Sequence, residues 1–284
     1  MTSPTPTIPI LDNHMHLNPS GRCLDAVREF SSAGGTHLVL VSLPPWSLGI
    51  NINRPDDYRK VFDTVLKIAR RVEDEVKVRV FVILGVHPAE LTKYYGRLGL
   101  DKTIEVMKGG LGIATGYVEK GHATGLKSGR PHYEVEPKLW DASNDIMQYS
   151  FELAKDAGCA VQLHTESATE EGLSEIAGIA KKAGLAPEKV IKHFAPPMIK
   201  ICEKHGIFPS VLAGENAIRK ALAEGTRFMM ETDYIDDLKR PGSVLGPKTV
   251  PRRTKQLIPE CGEEVFWKLH KDNPEKVYGV EINL

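Results

Sequence analysis

The sequence predicts an α/β fold, a (β/α)8 barrel of the TIM type formed by residues 1–284 as one domain. Three observations lead there. Apolar, β-branched runs alternate with longer amphipathic runs from end to end, the mark of a parallel sheet covered by helices. The strand-like runs number eight, the number that closes into a barrel. No phosphate-type G-x-G-x-x-G follows the first run, and no linker-like shift in composition marks a second domain.

The first strand is Ile8-Pro9-Ile10-Leu11-Asp12-Asn13-His14-Met15-His16, a buried apolar run that ends in two imidazoles. A helix over Cys23–Ala33 follows, with Leu24, Val27 and Phe30 on one face, stopped by Gly34-Gly35. Thr36–Ser42 is the second strand, closed by Pro44-Pro45, and Asp56–Asp74 a long helix with Val61, Phe62, Val65, Leu66 and Ile68 at helical spacing. Lys77–Pro88 holds the third strand. The pattern over Asp101 to about Lys120 is helical, yet it contains Gly109, Gly110, Gly112 and Gly116, each costing about 0.5–1 kcal/mol against alanine.

Gly121–Gly129 reads as a glycine turn leading into the fourth strand, followed by a helix over Asp141–Ala157. Cys159–Glu166 is the fifth strand and Ala168–Ala183 the next helix. Val190–Phe194 and Ile207–Leu212 are strands six and seven, each followed by a helix, Met198–His205 and Asn216–Glu224. Thr226–Asp233 is strand eight, and helices over Pro259–Leu269 and Pro274–Tyr278 end the chain. Tyr234–Pro251 is rich in Gly and Pro and reads as a lid loop whose basic residues, with Arg252 and Arg253 beyond it, are placed to meet phosphate or to form a solvated rim. Trp46, Tyr94 and Tyr95 are expected in loops walling the pocket.

Composition excludes several classes. With 41% hydrophobic and 26% charged residues the chain has ordinary globular material. Lys plus Arg equals Asp plus Glu at 37 each, so a nucleic-acid partner is not favoured and would need a local basic patch. Cys23, Cys159, Cys202 and Cys261 form no C-x-x-C pair, which suits free thiols in a reduced, cytoplasmic setting. Met1–Pro9 lacks a basic segment with an apolar core, so no signal peptide is expected, and no apolar run reaches the roughly 18 residues that span a bilayer.

Barrel active sites sit at the C-terminal strand ends. His14 and His16 close the first strand, His164 the fifth, His193 the sixth and Asp233 the eighth. On a strand, His14 and His16 project to one face about 6.6 Å apart, with Asp12 one step earlier on the same side. An isolated H-x-H suits a structural pair as well as a metal site. Further histidines and an acid at other strand ends favour a divalent ion: zinc, with manganese or magnesium as alternatives. His87 and Glu166 are expected near the mouth, touching substrate or orienting ligands, or simply packing the strand ends. Arg130 and His132 follow strand four and suit an anionic substrate or a plain loop.

Asp12-Asn13-His14-Met15-His16 resembles the strand-one D-x-H-x-H of the amidohydrolase superfamily, the metal-dependent hydrolases related to urease. Gly85-Val86-His87-Pro88, Leu163-His164-Thr165-Glu166, Glu231-Thr232-Asp233 and Asn273–Gly279 more narrowly resemble TatD-type hydrolases, over nearly the whole chain in order. The resemblance implies that His14, His16 and Asp233 hold one ion and His164 and His193 a second, with a strand-four residue bridging. Here the sequence departs from TatD proteins, which carry a glutamate at that strand end; Leu126-Lys127-Ser128-Gly129 puts Lys127 there. An ammonium donates only and cannot ligate. Either Lys127 is carboxylated on its amine, or the second ion is lost, or the strand is misplaced and Glu119 or Glu134 bridges.

The reaction expected is hydrolysis by water activated on one or two divalent ions, with Asp233 ligating or hydrogen-bonding that water and moving its proton. The substrate class spans ester, amide, lactone and phosphodiester. TatD relatives cleave DNA, which makes a deoxyribonuclease the first alternative. A barrel that binds a ligand around a structural ion without turnover is the alternative from another class.

Overall fold

In the computed structural model, which describes residues 8–214, 216–240 and 243–284, the apolar runs form parallel strands. They are β1 (Leu11–His16), β2 (His37–Val41), β3 (Arg79–Gly85), β4 (Gly125–Gly129), β5 (Ala160–His164), β6 (Val190–Ala195), β7 (Phe208–Leu212), β8 (Met229–Glu231) and β9 (Tyr234–Ile235). Their order is β8-β7-β6-β5-β4-β3-β2-β1-β9. The expected eighth strand, Thr226–Asp233, ends early at Glu231 because Asp233 has φ 46°, a left-handed value that interrupts extended backbone, and the first two residues of the expected lid loop form β9 beyond it. Before the break β8 pairs with β7; after it β9 pairs with β1. The two halves bring the sheet round on itself. Asp12 spans the break, its carboxylate accepting from Thr232 N (3.0 Å) and Thr232 Oγ1 (2.6 Å).

The helices between and after the strands are α1 (Leu24–Ser32), α2 (Tyr58–Val76), α3 (Ala89–Leu98), α4 (Leu100–Glu119), α5 (Pro137–Ala157), α6 (Glu170–Ala183), α7 (Ile199–Lys204), α8 (Ala217–Glu224) and α9 (Thr249–Cys261). After α10 (Glu263–Trp267), a wide turn over Lys268–Asp272 leads to α11 (Asn273–Tyr278). Two departures from the sequence reading, and one helix that forms as expected against its propensity, have physical reasons. Tyr94 and Tyr95 lie on α3, not in a loop, and Tyr94 is buried. The glycine-rich α4 does form: a Cβ on Gly109 would lie 2.4 Å from the Pro55 ring and one on Gly110 2.5 Å from the Tyr58 ring, so these glycines admit close packing that offsets their propensity cost. The basic stretch after strand eight turns helical at Thr249, with Pro251 in the first turn, where its missing N–H costs nothing. Within that stretch Asp236 is buried and accepts from the backbone N–H groups of Asn18, Arg22 and Cys23, so it pins the β1–α1 loop. Residues 241–242 of this loop, and 1–7 of the segment read for a leader, lie outside the described residues.

Two apolar layers position the site. Outside the sheet, Phe30, Phe62, Ile146 and Phe151 fill the space between strands and helices. Inside it, Leu11, Val39, Ile83, Ile191 and Met229 pack against Val277, Tyr278 and Ile282 of the C-terminal segment. All four cysteines are free thiols. Among the described residues no helix is long and apolar enough to cross a membrane.

His270 ties the end of the chain to the barrel. Its Nδ1 lies 3.2 Å from the backbone of Leu11 and its Nε2 2.8 Å from Thr254 Oγ1. Burial pushes the imidazole down from 6.5 to about 3. The folded state thus holds it neutral, while the unfolded chain takes a proton below 6.5, so its contribution is present above that pH and is lost on the way down to 3. About 2 kcal/mol of that loss falls between pH 7 and pH 5. Denaturant melts at both pH values should show His270→Gln losing about 2 kcal/mol less than wild type over this interval; equal losses would show that His270 does not set acid stability.

Candidate metal centre

The two imidazoles of β1 converge. A register irregularity between Asp12 and Met15 breaks simple alternation, so Asp12 turns to Thr232 while His14 and His16 face one point. His14 Nδ1 lies 2.7 Å from Gln162 Oε1, and that amide is oriented because its Nε2 donates to the Asn13 carbonyl (2.9 Å). His16 Nδ1 lies 2.8 Å from the Val41 carbonyl. Both Nδ1 atoms therefore carry hydrogen, and both Nε2 atoms present lone pairs, 3.1 Å apart. Burial first, then neighbouring positive charge, holds both rings well below the usual histidine range, so neither gains a second proton near neutrality. Two lone pairs so placed repel each other unless a cation sits between them. Nitrogens bound tetrahedrally to zinc at about 2.0–2.1 Å are roughly 3.3 Å apart. Asp233 Oδ1 lies 3.8 Å from His14 Nε2 and 4.0 Å from His16 Nε2, completing a three-residue group. The donor set fits a divalent ion.

A second pair sits beside the first, joined by the stacked rings of His14 and His193 (centroids 3.9 Å apart, 13° between planes). His193 Nε2 lies 3.1 Å from His164 Nδ1, and His164 Nε2 2.9 Å from His132 Nδ1. With its hydrogen on Nε2, donated to His132, His164 turns a lone pair toward His193. Glu231, which the sequence reading did not place in the site, lies 3.1 Å from His193 Nδ1 and accepts from Phe194 N (2.7 Å) and Ser210 Oγ. Although Glu231 groups with His14 and His193 as a candidate ligand, both its oxygens are engaged, which makes it a support for His193. Burial, then repulsion from Asp233, raises its carboxyl well above the usual range.

Lys127 lies on β4 opposite Gln162 and is 1% exposed. Burial lowers its amine, opposed by the negative charges of Asp233, Glu90 and Glu231. Its own charge depresses His14, His16, His87, His164 and His193, which places it among them. Glu119 ends α4, and Glu134 is exposed in the loop after β4, so strand four is not misplaced and neither acid bridges. Glycines let β4 approach its neighbours: a Cβ on Gly85 would meet Lys127 O at 2.0 Å, and one on Gly129 would meet His164 O at 1.8 Å.

Burial raises the Asp233 carboxyl, opposed by Lys127 and Lys192. A cavity of about 600 Å³ opens over His164, His193 and Asp233, lined also by His132, Glu166, Lys192 and an apolar wall that includes Phe194, Met198 and Leu212. Lys192, likewise not anticipated, is buried and donates to the His193 carbonyl (2.8 Å). His87 packs on His164 at 4.5 Å between ring centroids and does not line this cavity. Arg130 requires a correction. It is 1% exposed, forks onto Glu166 (Nε to Oε2 2.9 Å), reaches Glu175 (2.8 Å) and stacks on Trp140, so its guanidinium serves the scaffold and not an incoming anion. Gln162 could have been suspected from the sequence, since it shares a strand face with His164.

A family model described as TatD related DNase matches residues 11–279. An uncharacterized protein of Methanocaldococcus jannaschii is 39% identical over 287 residues, covering 98% of each chain. Among solved structures, a TatD-like protein from Archaeoglobus fulgidus superposes with a TM-score of 0.65 at 15% identity, over 95% of this chain and 100% of that one. A mutant of a PTE-like lactonase from Deinococcus radiodurans superposes with a TM-score of 0.62 at 12% identity, over 98% of each. At these identities the structural likeness speaks to the fold alone.

Proposed function

The chain belongs to the TatD-related DNase family of metal-dependent hydrolases, and from that premise we propose that it hydrolyses a small ester, lactone or amide with two divalent ions, zinc foremost. The observation that carries this reading is the opposed Nε2 lone pairs of His14 and His16, 3.1 Å apart beside Asp233. His14, His16 and Asp233 would hold one ion, His164 and His193 the other, and a carboxylated Lys127 would bridge them. A divalent ion there supplies Lewis acidity, making water acidic near neutral pH and polarising the scissile oxygen. Asp233, its carboxyl raised by burial, would face the ion through Oδ1 and take a proton at its other carboxylate oxygen, returning it to the leaving group. His132 and Lys192 stand on the cavity wall to orient the substrate, and Phe194, Met198 and Leu212 receive its apolar part. The free thiols suit a reducing compartment, so the cytoplasm belongs to the proposal.

A TatD-like deoxyribonuclease is the second reading, favoured by the family description. Against it stand the apolar wall and a neighbouring opening lined by Glu134 and Asp141, whose carboxylates repel a phosphate chain. Elemental analysis of the purified protein should find about two ions per chain. Chelation should abolish hydrolysis of an ester and lactone panel, and zinc or manganese should restore it. Absence of stoichiometric metal, or chelator-insensitive hydrolysis, would overturn the proposal; faster cleavage of DNA than of any small substrate would establish the second reading.

A further inference from the structure

We propose that Tyr278, on the C-terminal helix, is a positioning residue that couples the two ion positions through a directional chain of hydrogen bonds beneath them; this rests on the metal reading above. The chain starts at the Asn13 carbonyl, which can only accept. Gln162 Nε2 donates to it (2.9 Å), and the same amide nitrogen donates to Tyr278 Oη (2.6 Å). The Gln162 oxygen is thereby turned to His14 Nδ1 (2.7 Å), so His14 must carry its hydrogen there and bare Nε2 toward the ion. The Tyr278 hydroxyl, having accepted from Gln162, donates to Asn13 Oδ1 (2.9 Å). Asn13 Nδ2 then donates to Ser210 Oγ (2.9 Å), and Ser210 donates to Glu231 Oε2. The other Glu231 oxygen faces His193 Nδ1 (3.1 Å), so His193 too bares Nε2.

Each link from the Asn13 carbonyl to Ser210 thus has one orientation. Asn13, Gln162, Ser210 and Glu231 are buried among the strands, and Tyr278 reaches them from the apolar plug of the barrel. Removing the Tyr278 hydroxyl frees Asn13 Oδ1 and one Gln162 N–H together. Either amide can then turn over, and a turned Gln162 offers His14 a donor where it needs an acceptor. The consequence reaches both ion positions, because Asn13 leads to Glu231 and Gln162 leads to His14.

The test is cobalt(II) binding by full-length, metal-stripped protein, read by chelator competition and by visible absorption. Tyr278→Phe keeps the ring in the plug and is expected to weaken binding at both positions by about 10–100-fold, as when a histidine's own partner is lost, because Gln162 and Asn13 are no longer held, and to change the absorption bands. Ser210→Ala is expected to weaken the position of His193 more than that of His14. Val277→Ala, in the same plug but outside the chain of hydrogen bonds, should lower the melting temperature and leave cobalt affinity and spectrum as in wild type. Wild-type affinity and spectrum in Tyr278→Phe would overturn this inference alone. A wild-type protein that binds no cobalt would overturn the metal reading and this inference with it.

Discussion

Asp233→Asn is expected to lower kcat by about 10²–10⁴-fold on whatever substrate the panel identifies, the range for losing a group that moves a proton in the reaction. Asparagine suits the test because residue 233 has φ 46°, a left-handed conformation that Asn tolerates and most residues resist. The break between β8 and β9 is thus kept, and the Thr232 hydrogen bonds to Asp12 remain. The amide still offers an oxygen to an ion beside His14 and His16, but it cannot take the proton. Steady-state kinetics should therefore show the fall in kcat with KM changed little, and circular dichroism the wild-type fold. An unchanged kcat would remove Asp233 from the chemistry.

Lys127→Met is expected to reduce the ion count from two to at most one and to lower kcat/KM by at least about 10²-fold, since one ion of a two-ion clamp is lost. Intact mass under native conditions should show the wild type about 44 Da heavier than its sequence, the mass of carbon dioxide on the amine, and the variant without this addition. The variant also separates chemistry from stability. Lys127 is 1% exposed, so in the metal-stripped protein its ammonium is a buried charge, and a methionine of similar length should leave the melting temperature equal or higher. Two ions and full activity in Lys127→Met would show that the second position needs no bridge from β4.

Much of this site was legible because metal chemistry and barrel topology leave local marks. His14, His16, His164, His193 and Asp233 each end an apolar run, and parallel strands in a closed sheet bring such ends together. What was not legible depends on contacts between distant residues or on backbone angles. The left-handed φ of Asp233 leaves no pattern in the sequence, so Tyr234 and Ile235 read as the start of a lid loop and not as a ninth strand. The irregularity in β1 turns Asp12 away from the imidazoles to a partner 220 positions later. Arg130 reads as an anion receptor until Glu166 and Glu175 come to lie against it. Pro251 reads as the end of a loop and Pro259 as the start of a helix, although α9 holds one in its first turn and the other near its end. The support under the histidines joins Gln162 to Tyr278 across 116 positions, and no periodicity announces that.

Anomalous diffraction from crystals grown with zinc, recorded on both sides of its absorption edge, tests the central claim most directly. The account predicts one peak bonded to His14 Nε2, His16 Nε2 and Asp233, and a second bonded to His164 Nδ1 and His193 Nε2, about 3.5–4 Å away as in other two-metal sites. A mouth without anomalous density, or zinc held only elsewhere on the protein, would contradict it.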